Sequence, residues 1–305
     1  MTRISHGGSR SHGCALLPLC ALLAAALPLA ATAQQEAALQ TITVTATPLN
    51  EAPVGASDTP LRAVRTARPA SSDTANLLRN LPGVSLSGAG GVSSLPSVHG
   101  LSDDRLRIQV DGMDLISACG NHMNPPLSYI DPTRVGSVRL FAGITPVSVG
   151  GDSIGATIQV ESLPPAFTAP GEAPRVSGEA GAFWRSNGNA MGAHLAASYA
   201  REQFSLRYDG STAQADNYKA ARGFKQAGPA ASDKPTQWLG SDEVGSSSYK
   251  TRNHALTMAW RGGTDLVELR LGLQDIPYQN YPNQRMDMTR NDSRQFNLRY
   301  QGQFG

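Results

Sequence analysis

The stretch "LISACGNHMNPPLSY", residues 115–129, places a thiol at Cys119, an imidazole at His122 and a thioether at Met123 within five positions, then two prolines. A second sulfur pair, Met286 and Met288, stands in the polar run "NQRMDMTRND". Thiolate and thioether sulfurs are soft donors that select Cu(I) over harder divalent ions. Cys119 and Met123 are four residues apart, which is one helical turn or one tight loop and within chelating reach. Met286 and Met288 are two apart, so in an extended segment both side chains leave on one face. Packing explains methionines poorly in so polar a loop, whereas Met113, Met191 and Met258 read as gap fillers. His122 is the lesser ligand candidate, and His99 in "SVHGL" reads as structural.

The thiol matters more once the N-terminus is considered. Arg3 and Arg10 precede an apolar run from Cys14 to Ala31, and Ala31 and Ala33 in "ATAQQ" give the small-x-small pattern of a signal peptidase site. The run contains Pro18 and Pro28 and is short for a membrane span of about 20 residues, so residues 1–33 read as a secretory signal peptide. Its removal takes Cys14 and Cys20 away and leaves Cys119 as the one cysteine. A single thiol in an oxidising compartment needs a partner, a reactive role or a metal. Of 26 basic residues two leave with the signal, so 24 stand against 24 acidic ones, and charge gives no case for a nucleic-acid partner.

Three compositional regimes follow. Residues 34–70 are rich in Ala, Pro and Thr with few large apolar side chains, and read as a flexible leader. Within it "TITVTA" (Thr41, Ile42, Thr43, Val44, Thr45, Ala46) is a β-branched strand with no local partner, suited to joining the sheet edge of another protein. Residues 71–165 read as a compact α+β domain. Asp73 is placed as a helix N-cap before Leu77, Leu78 and Leu81, and Pro82-Gly83 as the stop. Strands are expected around Leu106–Val110, Val135–Leu140 and Ala156–Glu161.

From residue 175 to 305 apolar and polar residues alternate strictly. Phe204, Leu206 and Tyr208 alternate with Ser205, Arg207 and Asp209; Val267, Leu269, Leu271 and Leu273 alternate with Glu268, Arg270, Gly272 and Gln274. Strands are expected at 175–186, 190–200, 203–212, 249–261, 265–276 and 293–304. Short connections at "YAREQF" and "WRGGTDL" alternate with long polar ones at 213–247 and 277–292. That asymmetry, with Trp260 and Phe304 as girdle candidates, favours transmembrane β-barrel strands over a soluble sandwich.

Signal, "TITVTA" box, a small domain containing "VHGLSDDRLRIQVDGM" and "GGDSIGATIQVES", and then dyadic strands: in this order the parts resemble a TonB-dependent outer-membrane receptor. The resemblance implies residues 41–46 as the TonB box, 71–165 as the plug, and 175–305 as the first antiparallel strands of a barrel. It implies the TonB–ExbB–ExbD complex as partner, outer-membrane lipid as surroundings, and a monomer. "CGNHMNPPLSYIDPTRV" and "PYQNYPNQRMDM" are similar to copper receptors of the OprC/NosA kind, in which a Cys-x-x-x-Met pair on the plug and a Met- or His-containing pair on an outward loop bind copper. The resemblance thus joins Cys119 and Met123 to Met286 and Met288 as one site, where methionine replaces a histidine of some relatives at position 286.

Two further readings stay open, a siderophore or cobalamin receptor and an exported copper-sequestering protein. An enzyme is not expected, since no nucleophile elbow, His-x-His pair or paired carboxylates stand out. A plugged barrel of the large transporter kind needs about 22 strands. The six found here therefore read as the N-terminal part of a longer receptor.

Overall fold

The computed structural model describes residues 55–88, 90–151, 153–230, 236–282 and 286–302. The expected signal peptide, the "TITVTA" segment and the girdle candidate Phe304 lie outside the described residues.

The compact domain is built on a five-stranded sheet in the order β1-β7-β8-β5-β6, with β1 Ala56–Thr59, β5 Leu106–Val110, β6 Met113–Asp114, β7 Val135–Ala142 and β8 Ala156–Ser162. A smaller sheet joins β2 (Val84–Gly88), β3 (Ser94–Val98) and β4 (Leu101–Ser102). Alternation explains the main strands: Leu106, Ile108 and Val110 of β5 and Val138 and Leu140 of β7 point into one apolar cluster. Val64 of helix α1 (Leu61–Ala67), together with Leu77, Leu78 and Leu127, closes it from outside the sheet. This domain begins earlier than composition suggests. Residues 56–70, expected as flexible leader, supply β1, which pairs antiparallel with β7, and α1, whose one buried side chain, Val64, is too sparse a signal to register as a core segment.

Asp73 heads a 3-10 turn over Thr74–Leu78, not a full α-helix, because Pro82 follows within two turns. Its carboxylate accepts from the Ala75 N–H at 3.1 Å, the Ser94 N–H at 3.0 Å and Asn76 Nδ2 at 3.0 Å, tying the turn to β3. Complete burial pushes this carboxyl above the usual carboxylate range. Replacing Asp73 by alanine strands two backbone donors, and we expect a loss of about 1–3 kcal/mol, read as a lower urea midpoint at unchanged slope.

The second part is an antiparallel sheet in the order β9-β10-β11-β14-β15-β17, from β9 Arg175–Arg185, β10 Ala190–Ala200, β11 Phe204–Ala215, β14 Tyr249–Gly262, β15 Asp265–Tyr281 and β17 Asn291–Gln301. Two short strands, β12 Gly228–Pro229 and β13 Trp238–Leu239, pair within the long connection, and β16 Met286–Met288 folds back on the end of β15. The sheet is not closed, and β9 and β17 are its edges. Its outward face carries Val176, Trp184, Leu195, Trp260, Leu273, Phe296 and Leu298 in the open. Its inward face, which lies against the compact domain, is polar. The phase of the alternation therefore decides which residues reach that domain. No helix among the described residues is long and apolar enough to cross a membrane.

The interface between the two parts is held by charge and amides. Asp111, Arg134 and Glu161 of the compact domain meet Glu268, Arg270 and Arg299 of the wall, three carboxylates against three guanidiniums. Arg134 reaches Asp111 at 2.8 Å and Arg299 reaches Glu268 at 2.8 Å, while Arg270 bridges Asp111 and Glu268. Burial and the Asp111 charge push the Glu161 carboxyl upward. Asp111 is also the first residue of the two-residue turn joining β5 to β6. Its φ of 52° and that of Gly112 at 79° are the left-handed pair such a turn demands, met here by the Asp-Gly sequence that favours it. Elsewhere wall amides read the domain's backbone: Gln274 donates to Ser128 O at 2.9 Å, Gln295 to Tyr129 O at 3.0 Å and Asn297 to Asp111 O at 2.7 Å.

Candidate metal site

The Cys119 loop is closed locally. The Ala118 N–H donates to Asn124 O at 3.3 Å and the His122 N–H to Cys119 O at 3.0 Å, making a tight turn rather than a helical one. His122 takes the left-handed conformation, φ 50°, where the turn closes. The Met123 N–H points at Cys119 Sγ, 3.3 Å away. Pro125 and Pro126 then set the chain into the 3-10 turn Pro126–Tyr129, whose Leu127 is buried in the core. The sulfurs are thus presented on a small loop anchored at both ends.

The wall residues opposite it are placed by a bulge. Arg252 pairs with Asp275 and Lys250 with Tyr278, so Thr251 faces both Ile276 and Pro277. Pro277 has no N–H to give the ladder, which makes this the natural place for the extra residue. The bulge shifts the alternation by one. Glu268, Arg270, Gly272, Gln274 and Ile276 face inward before it; Gln279 and Tyr281 face inward after it, and Tyr278 turns out. Segment 277–292, expected as a long polar loop, is therefore largely strand. β15 runs to Tyr281, and β16 pairs with it through Gln279↔Met288 and Tyr281↔Met286. Directly opposed residues share a face, so Met286 and Met288 both lie on the side of the buried Gln279 and Tyr281.

The loop and strand meet through Asn124. The Tyr281 hydroxyl donates to Asn124 Oδ1 at 2.7 Å, and Asn124 Nδ2 lies 3.6 Å from Met288 Sδ. Met288 is thereby in contact with the residue that follows Met123 and closes the Cys119 loop. Met286 lies one position further along the same face, opposite Tyr281 and 46 % exposed. His122 is engaged elsewhere: its Nδ1 shares a 2.8 Å hydrogen bond with Ser117 Oγ, and its Nε2 lies 3.8 Å from Asp103. Tyr129 borders the site, and burial pushes its phenol above the usual range, so at neutral pH it is a hydrogen-bonding group and not an anion. Among the described residues no group of three or more His, Cys, Asp and Glu could hold a metal. A metal here would have to be met by thioethers as well as the thiol.

Sequence reasoning did not find Asn124 and Tyr281, which are 157 residues apart. Their signal was weak but present: an Asn directly after the candidate Met123, and a Tyr at the end of "PYQNY", both polar groups that need a partner once buried.

Residues 53–157 match the family described as TonB-dependent Receptor Plug Domain. No curated protein matches the sequence. Among solved structures, the chain is similar to the copper transporter OprC at 24 % identity and TM-score 0.62, with 81 % of this chain and 34 % of that one covered. The FrpB iron transporter of Neisseria meningitidis matches at 16 % identity and TM-score 0.61, over 82 % of this chain and 37 % of that one. The siderophore receptor PirA of Pseudomonas aeruginosa matches at 16 % and TM-score 0.53, over 83 % and 40 %. The chain thus spans between a third and two fifths of the length of these structures. It carries the plug domain of the TonB-dependent receptors, followed by an antiparallel, unclosed sheet that shares their fold.

Proposed function

We propose that this chain serves in TonB-dependent import of copper across the outer membrane, with Cu(I) held by Cys119 and Met123 of the plug and Met286 and Met288 of the wall. The observation that supports the reading is the approach of the Cys119 loop to β16, where Asn124, next to Met123, touches Met288. An anionic sulfur and neutral thioethers match the softness and low coordination number of Cu(I), and they suit Zn(II) or Fe(III) poorly. The outward apolar face, with Trp184 at one end of the strands and Phe204 and Trp260 at the other, fits lipid contact. Energy would reach the plug through residues 41–46, pairing as an added strand with TonB of the TonB–ExbB–ExbD complex.

Metal content decides the matter. Protein purified after growth in medium holding copper, zinc and iron at equal concentration should carry copper, one ion per chain. Iron or zinc in preference, or tight binding of a ferric siderophore without copper, would replace this reading by that of an iron receptor.

A further inference from the structure

Asn124 is the residue after Met123 and its carbonyl closes the Cys119 loop, so its backbone is tied to the segment that carries both plug sulfurs. Tyr281 is fully buried at the end of β15 and sits opposite Met286 in the ladder. The Tyr281 hydroxyl has one proton. At 2.7 Å the Asn124 oxygen takes it, although Met288 Sδ also lies 3.7 Å from the same hydroxyl. That bond orients the amide, turning its NH2 toward Met288 Sδ at 3.6 Å. A thioether has two lone pairs, so a donor on one leaves the other for a metal. A methionine with three rotatable bonds would otherwise sample many positions.

We infer that Asn124 and Tyr281 are positioning residues: they hold the Met288 thioether in place beside the Cys119–Met123 loop, so that a soft monovalent ion meets sulfurs already assembled. The inference rests on the copper reading above. It gives a reason for burying an amide and a phenol at a seam between plug and wall, where an apolar pair of the same shape would cost less to desolvate. Outer partners that orient a ligand typically contribute about 10–100-fold to metal affinity.

The test uses the whole chain purified in detergent, with Cu(I) as the probe in competition with a chromogenic chelator. Tyr281→Phe removes the hydroxyl and keeps the ring. It should weaken Cu(I) binding about tenfold or more, and the copper X-ray absorption spectrum should lose one sulfur neighbour. Asn124→Leu should do the same. In a Met288→Ala background, Tyr281→Phe should have no further effect, because the residue acts through that sulfur. A variant that is only less stable would show neither the lost sulfur nor this non-additivity. Unchanged affinity and sulfur count in Tyr281→Phe, or a full tenfold loss persisting in the Met288→Ala background, would overturn the inference while leaving the copper site standing. A native chain that takes no Cu(I) would remove the copper reading and this inference together.

Discussion

Cys119→Ala is expected to abolish tight copper binding by the purified protein. Cys119 contributes the one anionic sulfur of the proposed set, and the remaining donors are neutral thioethers that leave the ion partly hydrated. Loss of a partner that merely orients a ligand costs about 10–100-fold in affinity, so removing this ligand should cost more. Cys119→Ser keeps the volume but offers a hard hydroxyl oxygen in place of a soft thiolate, and should rescue little. Met286→Ala should have a smaller effect than Met288→Ala. The first side chain is half exposed, whereas the second lies against Asn124 and Tyr281. Copper retained undiminished by the Cys119→Ala, Met288→Ala double variant, measured as bound metal after dialysis, would sink the site.

Most of the wall was legible because its rule is simple. One face is apolar and open and the other meets a polar seam, so the strands alternate with period two and fall within a few residues of where that alternation puts them. It failed at Pro277. A bulge shifts the phase by one, so a period-two reading ends the strand at Ile276 and takes "PYQNYPNQRMDM" for loop, although β15 continues to Tyr281. The start of the plug failed for the opposite reason. β1 and α1 bury one large apolar side chain, Val64, and are held by pairing with β7, a contact made some 80 residues away that no local pattern records. At the candidate site the sulfur residues are picked out by residue type alone, and the two prolines mark where the Cys119 loop ends. The Asn124–Tyr281 contact is not picked out, since it depends on the bulge that turns Tyr281 inward.

The charged residues of the wall show the same division. Glu268 and Arg270 stood out as inward-facing from their alternation with Leu269 and Leu271, but nothing local says what they meet. Arg270 meets Asp111, which the "VDGM" turn carries to the seam, and Glu268 pairs with Arg270 and Arg299. A turn chosen for its backbone thus also delivers a carboxylate. The larger apolar cluster is formed by plug residues alone, so the plug keeps its own core. Its attachment to the wall includes the buried ion cluster at Asp111 and the amide bonds from Gln274, Gln295 and Asn297.

Asp111→Asn is accordingly expected to be the most destabilising conservative change in the chain. Asparagine is as well suited as aspartate to the left-handed turn position, so the hairpin survives and the charge alone is lost. The Asp111 side chain is 1 % exposed and accepts from Arg134, Arg270, the Ser162 N–H and Ser162 Oγ. Without its charge, three guanidiniums face two carboxylates in a place where Glu268 is 1 % and Arg270 5 % exposed. Breaking a buried ion cluster by removing one member costs about 3–5 kcal/mol, mainly because the partner charge stays buried and uncompensated. The measurement is urea unfolding in detergent micelles, where the midpoint should fall at unchanged slope. Arg270→Met should also be costly alone. Combined with Asp111→Asn it should cost less than the sum, since the second change removes the charge that the first had stranded. Additive losses would mean that the two side chains do not act as a pair. A single-variant loss within about 0.5 kcal/mol of zero would mean that water reaches the cluster and that the plug is seated by its backbone contacts with Gln274, Gln295 and Asn297 instead.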